Sequence, residues 1–174
     1  MAWTTPRTWS YGELVTQTML NAHVRDNLLA LKEPPSDQVI RNNLGMYTTT
    51  STTLVAVDGA NLKVTLSTNG GDVLVWFMGT FSATAGTTLL LDILIDGTAR
   101  VGAGFEGLLA QGLGTGKTVV SIPPVVVSGL AAGEHNFVLL WRGTGGATLR
   151  LFSDTTSGTA PDNVPAILAA REVS

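Results

Sequence analysis

Apolar residues recur at helical spacing near the start of the chain and at the two-residue spacing of strands through most of the rest. Leu20, Val24, Leu28 and Leu31 follow at intervals of four, four and three, which puts them on one helical face, and Met19 widens that stripe. Gly12 breaks the chain ahead of them, and Thr16 is placed to accept a backbone N–H of the first turn. Pro34-Pro35 ends the helix, because proline lacks the donor and pushes its predecessor out of helical geometry. The predicted helix covers residues 16–33, a rod of roughly 24 Å at ~1.5 Å per residue.

A helix of this length is marginal alone and must bury its apolar face. The stripe either meets copies of itself or another protein, or packs on the β-structure of its own chain. Asn27 lies between Val24 and Leu31 at a heptad core position, where an Asn costs stability and sets register and oligomer state. Ahead of the helix, residues 1–15 form an arm carrying Trp3, Trp9 and Tyr11, aromatics of the kind that make contacts. Trp9 and Tyr11 could equally cover the helix of their own chain. Residues 34–45 read as a linker, bounded by the proline pair and Gly45.

From residue 46 to 174 the signals are strands and turns. Segments 52–57 and 61–67 flank Asp58-Gly59, a candidate hairpin turn. Segment 72–82 follows Asn69-Gly70-Gly71. In segment 87–95, Leu89, Leu91, Ile93 and Ile95 face one side, and Leu90, Asp92 and Leu94 the other. Segment 119–127 contains Pro123-Pro124, which demands a sheet edge or a bulge. Segments 135–142, 147–152 and 166–173 follow, with a Ser/Thr/Gly loop bearing Pro161 and Pro165 before the last. Trp76 and Trp141, both in apolar strands, read as core. The expected fold is mainly β, an antiparallel sandwich preceded by one short α-helix. The stretch from Gly133 onward looks like the closing half of a jelly roll, similar to the tumour-necrosis-factor-like trimeric heads of phage fibres and knobs.

Charged residues make up only 13% of the chain against 44% hydrophobic. So few charges on a β-rich monomer invite edge pairing, so the surface is either neutral and Thr/Ser-rich or covered by sister subunits. With net charge −3 and no cluster of Lys and Arg, nucleic-acid binding is not expected. The absence of cysteine removes disulfides and thiolate chemistry. No signal-peptide pattern and no membrane-length apolar run is visible, so a soluble protein is expected.

Candidate chemistry fails on spacing. Residues 111–118, Gln-Gly-Leu-Gly-Thr-Gly-Lys-Thr, put Gln111 where a phosphate-binding loop needs its first glycine, and strand signals follow instead of a helix. They read as a flexible loop. Asp92 and Asp96 share a strand face, but four residues of strand separate them by about 13 Å. Glycosidase carboxylates need roughly 5 to 9.5 Å. His23 and His135 sit in no cluster with metal-ligand spacing. No catalytic, cofactor or metal site is expected, and the chain reads as a non-enzyme.

One segment resembles a known pattern. Trp9, Gly12-Glu13, Val15-Thr16, Leu20-Asn21, His23, Arg25-Asp26-Asn27 and Leu31 match a motif that recurs near the N-terminus of small virion proteins of tailed bacteriophages. The resemblance implies a virion structural protein, with Trp3, Trp9, Tyr11, Leu20, Val24, Asn27, Leu28 and Leu31 as anchoring or oligomerisation residues. The expected partners are copies of itself as a homotrimer and another capsid or tail protein, with a host-surface glycan as a further candidate. A short helix plus one sandwich, with no heptad array for a shaft, favours a capsid decoration or short head fibre over a long tail fibre.

Overall fold

A computed structural model of the chain describes residues 4–41, 46–152 and 165–173. Trp3, the end of the expected linker and the Ser/Thr/Gly loop with Pro161 lie outside them. Two antiparallel sheets face each other. The first holds β1 (Ser36–Arg41), β2 (Met46–Thr49), β5 (Gly71–Ala83), β9 (Thr118–Leu130), β11 (Leu149–Phe152) and β12 (Ala166–Val173). The second holds β3 (Val55–Ala56), β4 (Lys63–Thr68), β6 (Thr87–Ile95), β7 (Ala99–Arg100), β8 (Leu109–Leu113) and β10 (Gly133–Gly143).

The pairing is nested from the outside in. β1 pairs with β12, β2 with β11, β3 and β4 with β10, β5 with β9, and β6 with β8. A long hairpin rolled over itself in this way is a jelly roll, and the fold is an antiparallel β-sandwich preceded by one helical run.

Between the sheets, Phe77, Phe81, Phe137 and Trp141 form the bulk of the core with the leucines and isoleucine of β6. The alternation read in β6 holds: Leu89, Leu91 and Ile93 are fully buried between the sheets. Phe81 meets Phe77 and Trp141 at ring-centroid distances of 6.0 and 6.3 Å. Gly79 leaves room for this packing, since a Cβ there would stand 2.7 Å from the Phe77 ring and 2.8 Å from Leu151. Any larger residue would overpack the core.

Four expectations need correction. The linker is not a linker over Ser36–Arg41: that segment is β1, paired along its length with β12, and Val39 packs on the core. Asp58-Gly59 turns no hairpin, because β3 and β4 both pair with β10, one after the other along the same edge. The expected flexible loop at 111–118 begins inside β8, whose ladder to β6 orders it as far as Leu113. Finally, Trp76 is not core. Val75 and Phe77 on either side of it are buried, so Trp76 stands half-buried on the outward face of the first sheet. Its cross-strand partner there is Ala169, which in turn pairs with Gln38.

The proline pair meets both of its requirements. β9 is an edge strand with β5 as its partner, and the register shifts between Val75–Val125 and Phe77–Ile122. Pro123 and Pro124 therefore bulge out opposite Trp76.

Candidate functional site

Residues 17–32 form one continuous helical run of three parts: α1 (Gln17–Leu20), a π-helical segment (Asn21–Arg25) and α2 (Asp26–Lys32). Thr16 caps it as expected, its Oγ1 accepting the Met19 N–H at 3.3 Å. π-Helical turns inside helices are frequently found at functional sites.

The arm folds back along one side of this helix. Thr4 N–H donates to Asn27 Oδ1 at 2.9 Å, and Asn27 Nδ2 donates to the Thr4 carbonyl at 2.8 Å and to the His23 carbonyl at 3.3 Å. The Trp9 ring stands edge-on to His23 with centroids 6.4 Å apart. The Arg7 guanidinium lies 4.8 Å over the Trp9 ring and pairs with Glu13, whose other carboxylate oxygen accepts the Ser10 N–H at 3.1 Å. Trp9, Glu13, His23 and Asn27 of the motif thus make contacts within one chain.

Asn27, expected at a heptad core position, is 5% exposed within its own chain, and its amide is taken up by its own arm and helix. Trp9 covers the helix of its own chain, whereas Tyr11 is fully exposed.

The apolar stripe borders the sandwich at its end, where Leu31 lines a pocket with Leu74, Arg171 and Val173, and is otherwise exposed. Leu20, Val24, Leu28 and Leu31 are 47%, 45%, 61% and 51% exposed, and Leu14 and Val15 on the arm are exposed beside them. Beyond the helix, the chain is tied to the sandwich at its rim. Glu172 N–H donates to the Pro35 carbonyl at 2.9 Å, and the buried Glu172 carboxylate accepts the backbone and side-chain N–H groups of Asn69 at 2.9 and 3.0 Å.

The outward face of the first sheet is also apolar. Ile40, Ile167 and Met78 line up across three strands, and Val119 and Val126 stand exposed on β9.

The second sheet carries a shallow cleft of about 670 Å³ floored by Leu94 and Leu140. Over the neighbouring part of the sheet folds the β7–β8 connection, pinned by Asp92, which is completely buried. Asp92 accepts the Gly102 N–H at 2.9 Å and Arg100 Nη1 at 3.2 Å. Asp96 is equally committed: its two oxygens accept the Asn136 N–H and meet His135 Nδ1, both at 2.8 Å. Neither carboxylate faces a shared site.

His135 Nε2 lies 2.9 Å from the Ala131 carbonyl. That bond and the Asp96 carboxylate hold the His135 pKa above its ordinary value. For Asp96, burial works to raise the pKa, but the Asn136 N–H and His135 outweigh it and the pKa is lowered.

Among the described residues no group of His, Asp or Glu is placed to hold a metal ion, and no helix is long and apolar enough to cross a membrane. Sequence reasoning missed Thr4, Arg7 and Glu13 as arm contacts. Glu13 was in the motif, but nothing in its spacing pairs it with Arg7.

No family model matches the chain, and no curated protein matches it. Solved structures do. The Eiger TNF of S. frugiperda aligns over 82% of this chain and 94% of its own, at 12% identity and a TM-score of 0.44. A D431N mutant VP2 protein of infectious bursal disease virus, from T=1 particles, aligns over 80% of this chain at 12% identity and a TM-score of 0.37. This chain spans 36% of that protein's length.

Proposed function

We propose that the chain is a non-enzymatic structural protein of a tailed-bacteriophage virion. It forms a short projecting homotrimer, anchored by its N-terminal arm and helix to another virion protein, as a capsid decoration or short head fibre. One observation carries this reading. The arm is locked onto one side of the helix by Asn27 and His23, while Leu20, Val24, Leu28 and Leu31 on the other side are left half exposed. A helix so short needs a partner for that face, and its own sandwich borders it at Leu31 while leaving Leu20, Val24 and Leu28 exposed. The exposed apolar residues Ile40, Met78, Val119 and Val126 on the first sheet add a second surface suited to sister subunits. The chain has no cofactor, and its partners are protein rather than nucleic acid or membrane.

Light scattering after size exclusion tests the oligomer: a trimer supports the reading, and a monomer at micromolar concentration sinks it. Removal of residues 1–32 leaves every strand in place and abolishes attachment to particles. Particles still decorated by the shortened chain would overturn the anchor.

A second reading, a tail-tip or tail-fibre protein whose sandwich binds a receptor or glycan, is favoured by the cleft on the second sheet, where an exposed aromatic and a guanidinium converge.

A further inference from the structure

We propose that the cleft on the outer face of the second sheet binds a carboxylate-bearing saccharide, with Arg142 receiving the carboxylate and Phe105 the apolar face of the sugar ring. The proposal rests on the receptor-binding reading above and gives it a site and a ligand class.

Arg142 sits on β10 with its side chain 19% exposed. Its Nη1 donates to the Thr52 carbonyl at 3.0 Å, which fixes the guanidinium plane. Its Nη2 donates at 2.8 Å to the carboxylate of Glu106, whose side chain is 78% exposed. A largely buried, oriented guanidinium is therefore met on its outer side by a carboxylate from the surface. Exposed ion pairs are worth little, so a ligand carboxylate can take the place of Glu106 on Arg142 Nη2.

Beside it, Phe105 is 75% exposed on the same connection. That connection is built against the sheet. Arg100 Nη2 donates to the Phe105 carbonyl at 3.3 Å while Nη1 holds the buried Asp92. A Cβ at Gly107 would stand 2.8 Å from the Leu91 carbonyl oxygen, and one at Gly102 would stand 2.9 Å from Asp92 Oδ2. The aromatic is thus carried on a loop fixed by close backbone contact.

Thr52, Thr53 and Thr98 line the rim with hydroxyls, and Leu94 and Leu140 floor it. Arg100 also lines the cleft but is held by the buried Asp92, so Arg142, whose partner Glu106 is exposed, is the guanidinium a ligand can reach. With an apolar floor, one aromatic and threonines, this suits a sugar acid. A phosphate dianion would meet too little positive charge, because Asp92 and Glu106 already offset the two guanidinium groups.

The test titrates the full-length protein with trigalacturonate, with neutral galactotriose and with acetate, reading chemical shifts and heat. Trigalacturonate is expected to bind, and galactotriose and acetate to bind at least about tenfold more weakly. Arg142→Gln should lower trigalacturonate affinity about tenfold or more. Because that variant removes a bond to Thr52, two exposed positions keep the test independent of folding. Phe105→Ser should weaken binding severalfold, and Glu106→Gln should strengthen it about two- to fivefold by removing the competing carboxylate.

Absence of trigalacturonate binding up to about 5 mM would overturn the site. So would equal binding of acetate, or a Glu106→Gln variant that binds no better. The titration involves no particle, so a failure of the proposed anchor leaves its outcome unaffected.

Discussion

Asn27 holds the backbone of Thr4 at both of its polar groups, accepting the Thr4 N–H at 2.9 Å and donating to the Thr4 carbonyl at 2.8 Å. Twenty-three residues apart in sequence, the two are joined as a strand pair would be, with a side-chain amide in the role of one backbone. Asn27→Ala should release the arm without unfolding the sandwich. The expected loss is about 1–2 kcal/mol of local stability. Hydrogen exchange should show faster exchange at Thr4 and nearby amides with the melting temperature of the sandwich unchanged. A fall in that temperature would place Asn27 in the global fold.

The apolar stripe should respond differently. Val24→Glu with Leu28→Glu removes apolar surface that the single chain leaves exposed, so the monomer should keep its stability to within about 0.5 kcal/mol. The oligomer should dissociate, because charges would face each other in the bundle. Light scattering and urea unfolding together check this. A variant that lost stability but kept its oligomer would mean the stripe packs internally.

Asp92 tests the second sheet. Its carboxylate is completely buried and serves the Gly102 N–H and Arg100. Asp92→Ala leaves those donors unmatched and should cost about 2–4 kcal/mol in urea unfolding, with the trimer intact at low denaturant. A loss within error of zero would show that water replaces the carboxylate.

His135 sets a pH dependence whose sign follows from its surroundings. Both ring nitrogens face acceptors, the Asp96 carboxylate and the Ala131 carbonyl, so the fold favours the doubly protonated ring. Its folded pKa is raised above the ordinary 6.5, so its contribution is complete below that value and is lost as pH rises through the folded one. Asp96 acts at the other end: lowered from 3.8, it contributes above that value and loses the contribution as pH falls through its folded pKa. Unfolding midpoints of the wild type and His135→Asn should therefore differ most below pH 6.5 and converge as pH rises through the raised folded pKa. A constant difference across that range would assign His135 a packing role only.

The amphipathic spacing of Leu20, Val24, Leu28 and Leu31, the Thr16 cap and the proline stop were legible because helix geometry is local, and the helix forms where they predict it. The alternation in β6 was legible for the same reason, since only one of its faces is uniformly apolar. In β5 both faces are apolar, Val73, Val75 and Phe77 on one and Leu74, Trp76 and Met78 on the other. Periodicity is silent there, and Trp76 was assigned to the wrong side.

What the sequence determined by itself was a mainly β chain led by one helix with an unsatisfied apolar face. Only the tertiary structure decided the nested pairing, the recruitment of Ser36–Arg41 as β1, the outward turn of Trp76 and the meeting of Phe105, Glu106 and Arg142. Asn27 belongs with these, because its partner is a backbone 23 residues away. Spacing encodes which residues share a face of one element. Which faces then meet depends on contacts between distant segments, and these leave no period in the chain.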